Sequence, residues 1–188
     1  MDYIIATHNM KKRDELQRIL APHGIRVLLA EEAGVELTDV EETGTPFEEN
    51  ALLKQAFTCA SYHNEHPDAR DNEVLEFFGD MVLSYVVSSI LLDRYTFRDD
   101  NGLVSYMQED AFTKMRSNCT NNVYLAEKIR ALGIQDYLIM GNGDEKANMD
   151  DGVPACSNLF ESLAAAVYLD SNQNLDITKA FVTKLLGL

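Results

Sequence analysis

Residues 72–83 read NEVLEFFGDMVL, and the folding of this stretch decides how the whole chain is read. As a helix it stacks Glu76 over Asp80 at i and i+4, with Glu73 three residues before Glu76 on the same side. Leu75, Phe78, Val82 and Leu83 then make the apolar side. Like charges at i,i+4 repel by about 0.2–0.5 kcal/mol, so the acidic face is either solvated or held for a ligand. Two features favour a ligand. The acids are embedded among Leu, Phe and Met rather than lysines, and Gly79 adjoins Asp80. A glycine inside a helix costs roughly 1 kcal/mol against alanine, which points to close approach by another backbone or a ligand.

A second acidic position lies downstream in SNLFESLAAAVYLD, residues 157–170, where Asn158 and Glu161 are i and i+3 on another apolar helix. Two helices that each offer two oxygen-bearing side chains can enclose a hard cation. Mg²⁺ takes octahedral oxygen ligands and keeps several waters, so two to four side chains suffice.

Around these segments the pattern is mostly helical. Apolar periodicity predicts helices over roughly 47–60, 72–95, 109–117, 121–132, 155–170 and 176–187, and no strand is expected after residue 46. Before it, YIIAT (3–7), KKRDELQRIL (11–20) and IRVLLA (25–30) read as strand, helix and strand. That is a βαβ unit with a right-handed crossover. The expected fold is therefore mainly α, with a βαβ-like segment over 1–46 and a helical domain over 47–188.

The 188 residues are 46% hydrophobic and 25% charged, an ordinary globular balance. A formal charge of −15 argues against gripping nucleic acid by bulk charge and suits a site that recruits divalent cations. Cys59, Cys119 and Cys156 are widely spaced and lack metal-ligand spacing, so they read as reduced thiols of a cytoplasmic protein. The run MVLSYVVSSILL (81–92) is too short to span a membrane, and no membrane partner is expected. The start MDYIIATHNMKK has its basic residues after the apolar ones, the wrong order for a signal peptide.

From about Phe47 onward the chain resembles the ribonuclease III endonuclease domain. LLKQAFTCASYHNEHPDARDNEVLEFFGDMVLSYVV (52–87) is similar to that family's opening helix, loop and signature segment N-E-R-L-E-F-L-G-D. KMRSNCTNNVYLAEKIRALGIQDYLIMGNGDEK (114–146) is similar to its middle helices, and LFESLAAAVYLD (159–170) to its closing D-x-x-E helix. The resemblance implies an all-α homodimer that holds double-stranded RNA in a valley between subunits. It also implies Mg²⁺-assisted, Mn²⁺-tolerant hydrolysis of phosphodiesters, leaving 5′-phosphate and 3′-hydroxyl ends. By position it makes Glu76, Asp80 and Glu161 acidic metal ligands and catalytic residues. Glu73 falls at the site or on the dimer surface beside it. Phe77 becomes an aromatic knob that enters a socket on the partner; plain core is its other reading. Asn122 and Lys146 become candidate RNA contacts, against a cap or turn role for Asn122 and a solvated loop for Lys146.

The chain departs from that pattern in places. Asn158 stands where the family has aspartate, so the ligand set Glu76, Asp80, Asn158 and Glu161 brings three charges rather than four. Weaker metal binding and slower or absent cleavage follow. Cys59, Val74 and Ala165 replace a histidine, an arginine and a glycine. The end FVTKLLGL (181–188) leaves no room for the family's double-stranded-RNA-binding domain, so weak, salt-sensitive RNA binding is expected.

Residues 1–55 resemble a different family. IIATHNMKKRDELQRIL (4–20) and VEETGTPFEENALLK (40–54) are similar to the opening of the inosine triphosphate pyrophosphatases. Thr7, Asn9 and Lys12 match that family's T-x-N-x-x-K phosphate pattern, with His8 in place of a glycine, and Glu41 falls at its acidic turn. The family's later segments are missing. Three readings result: a Mg²⁺-dependent endoribonuclease for double-stranded RNA, an inactive dimeric RNA- or protein-binding module of the same fold, and a nucleoside-triphosphate pyrophosphatase.

Overall fold

A computed structural model describes residues 2–5, 17, 18, 21, 26–29 and 48–188. The chain divides into two compact units, Met1–Thr45 and Pro46–Leu188. In the first, β1 (Asp2–Ile5) pairs in parallel with β2 (Arg26–Leu29), with Asp2 opposite Arg26 and Ile5 opposite Leu29. A parallel pair needs a crossover connection, and Gln17 and Arg18 between the strands are helical.

The second unit is a helical assembly. Its elements are α1 (Glu48–Phe57), α2 (Ala60–Glu65), α3 (Glu73–Tyr95), a hairpin of β3 (Thr96–Asp99) and β4 (Gly102–Ser105), α4 (Glu109–Thr120), α5 (Asn122–Leu132), α6 (Asn142–Lys146), α7 (Val153–Asp170) and α8 (Leu175–Leu186). Pro154 lies in the first turn of α7, where a missing N–H costs nothing. From Leu159 to Ala166 every residue of α7 is buried. A helix covered on all sides is a central one, and α7 packs on α1, α3, α5 and α8. Phe160, Leu83, Leu125, Ile129, Leu159 and Leu186 fill the core between them.

Helix α3 is 23 residues long, and by length and composition alone it could cross a membrane. The 12-residue run noted in the sequence is thus part of a longer apolar helix. Leu75, Gly79, Leu83, Val86, Val87, Ile90 and Leu91 face the core. Val74, Phe77, Phe78, Met81, Tyr85 and Leu92 are exposed.

The hairpin corrects the expectation of no strand after residue 46. Thr96 pairs with Ser105 and Asp99 with Gly102 around a turn at Asp100 and Asn101, and Gly102 has φ +136°, open only to glycine at low cost. The sequence DDNG (99–102) carries a recognised hairpin turn signal. It read as a mere break because the flanking strands have no buried face to impose an apolar alternation: β3 is exposed at Phe97, Arg98 and Asp99. The helix expected over 47–60 ends at Phe57, and a further helix, α2, starts at Ala60. Between them Thr58 forms a bridge with Ile139, and Cys59 N donates to Ile139 O at 2.9 Å.

Candidate functional site

The crossing of α3 and α7 sets the site. A Cβ built on Gly79 would stand 1.9 Å from Glu161 O, so only glycine lets the two backbones meet there. This is the close approach that Gly79 signalled in the sequence. It carries Glu76, one turn before Gly79, and Asp80, the residue after it, against the middle of α7. The N-terminus of α3 is fixed from two directions. Asn72, 5% exposed, donates from its backbone N to Thr58 O at 2.8 Å and from Nδ2 to Ala56 O at 3.3 Å. The fully buried hydroxyl of Ser162, next to Glu161, donates to Asn72 O at 3.3 Å.

Glu76, Asp80, Asn158 and Glu161 line one cavity of about 380 Å³. Phe77, Met81, Thr120 and Asn122 complete its walls. The acids form a gradient of depth: Glu161 is buried at 8% exposure, Glu76 half-buried and Asp80 exposed. Burial, then the charges of Asp80 and Glu76, push the Glu161 carboxyl from 4.5 up to about 7. Burial and the neighbouring Glu73 raise Glu76 as well. The cavity is a place where negative charge is already in excess.

Its donors fit a hard divalent cation. All four candidate ligands present oxygen, and a bound cation would relieve the repulsion that lifts Glu161. Among the described residues no three His, Cys, Asp or Glu side chains form a ready-made metal cluster. Waters would therefore complete the coordination, as Mg²⁺ commonly allows.

The other expected residues fall around this cavity. Glu73 lines an adjoining one of about 230 Å³ that shares Glu76 and Asn158 with the first. Phe77 is 59% exposed, with its ring edge-to-face on Phe78, so it is not part of the core formed by the described residues. Asn122 lines the cavity and is not the cap: Asn121 caps α5, accepting from Tyr124 N at 2.9 Å. Lys146, at the exposed end of α6, lines neither cavity. Thr120 and Met81 went unrecognised in the sequence; the only signal for Thr120 was its place beside the two asparagines. Thr7, Asn9, Lys12 and Glu41 lie outside the described residues. Cys59, Cys119 and Cys156 are free thiols.

The model of the Ribonuclease-III-like family matches residues 49–187, well over half of the chain. The chain belongs to the ribonuclease-III-like family. A second family model, Ham1, matches residues 3–77, and the two matches share α1, α2 and the start of α3. Ribonuclease 3 of Symbiobacterium thermophilum is 36% identical over 147 residues, spanning 78% of this chain and 57% of the relative. Ribonuclease 3 of Treponema succinifaciens is 35% identical over 130 residues, spanning 69% of this chain and 35% of the relative. The chain thus spans between a third and three-fifths of the length of the curated relatives it matches. The nuclease domain of ribonuclease III from Campylobacter jejuni has the same fold, with a TM-score of 0.62 at 22% identity over 96% of this chain and 95% of that one. A second structure of that domain, described for flexibility in a region involved in dimer formation, gives 0.61 over 84% and 92%.

Proposed function

We propose that this ribonuclease-III-like chain is a Mg²⁺-dependent endoribonuclease that hydrolyses phosphodiester bonds of double-stranded RNA as a homodimer. The observation that carries this reading is the cavity at the α3–α7 crossing, where Glu76, Asp80, Asn158 and Glu161 face one another. Those four side chains would hold the metal, with Mn²⁺ able to replace Mg²⁺. When bound, the ion would supply an activated water and Lewis-acid stabilisation of the phosphate's developing charge. The chain's own part is positional. Gly79 fixes the spacing of the acids, and Asn72 and Ser162 hold the two helices in register. No side chain need act as nucleophile.

The exposed side of α3 supports self-association. Val74, Phe77, Phe78, Met81 and Tyr85 follow helical spacing along one face, each more than half exposed. An uncharged stripe on a chain of charge −15 suits a like surface on a second copy. The region involved in dimer formation in the Campylobacter jejuni domain is a precedent. The acidic surface also predicts weak RNA binding, because few lysines and arginines are available to neutralise phosphates and release their counterions.

Asn158 favours a second reading, an inactive dimeric RNA- or protein-binding module of the same fold, because its amide brings no charge to the metal site. One assay separates the readings: incubation with Mg²⁺ and either long duplex RNA or inosine triphosphate. Duplex cutting that Glu161→Gln abolishes supports the nuclease. A dimer that cuts nothing supports the binding module. Pyrophosphate release supports a nucleotide site in the Ham1-matching segment, and cutting that survives Glu161→Gln refutes the site assigned here.

A further inference from the structure

Six residues lining the main cavity belong to α3 and α7, and the remaining two, Thr120 and Asn122, come from the corner where α4 ends and α5 begins. The two walls differ in charge. The α3–α7 wall bears Glu76, Asp80 and Glu161, whereas the corner is neutral and polar, and neither a lysine nor an arginine is among the described residues lining the cavity. A phosphodiester entering the cavity gains nothing by charge from the corner. A sugar hydroxyl is neutral and asks for one acceptor and one donor at short range, which is what a threonine and an asparagine offer.

The corner is built to hold these groups still. Asn121 accepts from Tyr124 N and donates from Nδ2 to Asn118 O at 2.8 Å and to Ser117 O at 3.4 Å, so its side chain is spent on joining the two helices. That leaves its neighbours on either side for the cavity. Thr120 Oγ1 donates to Arg116 O at 3.1 Å, which commits its hydrogen and leaves its lone pairs to accept. Asn122 is released from capping, and its amide offers both a donor and an acceptor.

We infer that the Thr120–Asn122 corner is a ribose-reading subsite, in which Thr120 Oγ1 accepts the hydrogen of a substrate 2′-hydroxyl and the Asn122 amide donates to that hydroxyl's oxygen. The inference rests on the endoribonuclease reading and deepens it. The acids on one wall engage the phosphate end of the chemistry, and the neutral corner makes a ribonucleotide, rather than a deoxyribonucleotide, the group that fits. The 2′-hydroxyl is the feature by which a protein tells RNA from DNA at a given position.

The test pairs a residue with a substrate atom. On a duplex RNA whose cut position has been mapped, single 2′-deoxynucleotides are placed at each position flanking the cut. kcat/KM is measured with Mg²⁺, and binding of the same duplexes is measured by fluorescence anisotropy in chelator, where nothing is cut. In the natural chain one position should lose roughly ten- to hundredfold in kcat/KM on deoxy substitution, the scale of two neutral hydrogen bonds, with a loss in binding of the same direction. Thr120→Val should slow the all-ribo duplex about three- to tenfold, the scale of one neutral hydrogen bond, and shrink the remaining deoxy effect by the same factor; combined with Asn122→Ala it should abolish that effect. Thr120→Ser, which keeps the hydroxyl, should restore the sensitivity. A merely structural role would slow both duplexes equally. The inference is overturned if the natural chain is insensitive to every 2′-deoxy position, if Thr120→Val keeps the full deoxy effect, or if Thr120→Ser behaves like valine. Absence of any cutting of duplex RNA by the natural chain would remove the nuclease reading and the subsite with it; cutting without 2′ sensitivity would remove the subsite alone.

Discussion

Replacing Glu161 by glutamine should stabilise the metal-free protein at neutral and alkaline pH while removing its activity. The carboxyl of Glu161 is buried beside two other acids, and burial followed by the charges of Asp80 and Glu76 raises it from 4.5 to about 7. A carboxyl whose folded value lies above its unfolded value binds its proton more tightly when folded. Its contribution to stability is therefore fully present below about pH 4.5 and is lost as pH rises through about 7. At full value the shift corresponds to roughly 3 kcal/mol. The cavity opens to water through the exposed Asp80, which screens the repulsion, so about 1–2 kcal/mol is the expected effect. Urea unfolding in chelator, followed by circular dichroism, reads it directly. The variant and the natural chain should be close near pH 5, and the variant should be more stable by that amount near pH 8. Adding Mg²⁺ should narrow the gap by stabilising the natural chain alone. A gap that stays constant between the two pH values would mean that neither burial nor its neighbours' charge raises the Glu161 carboxyl, and the electrostatic account of the site would fail.

Asn158→Asp should do the opposite in the absence of metal, lowering stability by adding a fourth charge, while tightening Mg²⁺ roughly tenfold in a calorimetric titration and speeding duplex cutting at limiting Mg²⁺. Gly79→Ala should cost at least about 3 kcal/mol in urea unfolding, because its methyl would overlap the Glu161 carbonyl, and a stable variant with intact activity would contradict the helix crossing described here. Asn121→Ala should cost about 1 kcal/mol by removing the cap on α5. Phe77→Ala should leave the unfolding free energy of the isolated subunit within about 0.5 kcal/mol but shift sedimentation toward the monomer; an unchanged dimer would show that the exposed face of α3 is not the contact surface.

What the sequence made legible follows from which constraints are local. Glu76 and Asp80 share a helix, as do Asn158 and Glu161, so spacing alone stacks each pair. The meeting of the pairs is not local. It was marked only by the cost of Gly79, a residue with no reason to sit mid-helix unless something presses against it, and what presses is the carbonyl of Glu161. The corner at Thr120-Asn121-Asn122 shows the opposite case. Three adjacent polar residues carry nearly equal propensity for capping, and a slip of one position exchanges cap for cavity wall. Periodicity cannot fix that register, because it depends on which backbone N–H groups the end of α5 leaves open. The hairpin escaped for a related reason: an element exposed on almost every residue leaves no apolar record of its pairing, and only the turn residues speak for it. Phe77 is the most instructive case. A phenylalanine beside core positions reads equally as core or as surface from one chain, since the sequence records that apolar contact is wanted and not whether the partner is the same molecule. Its exposure, in line with Val74, Phe78, Met81 and Tyr85, is what the proposed self-association rests on. The same helix then serves two surfaces. One face is pressed against α7 to gather the acids, and the other is left apolar, so in the proposed dimer Phe77 and Met81 would meet the partner one residue away from Glu76 and Asp80.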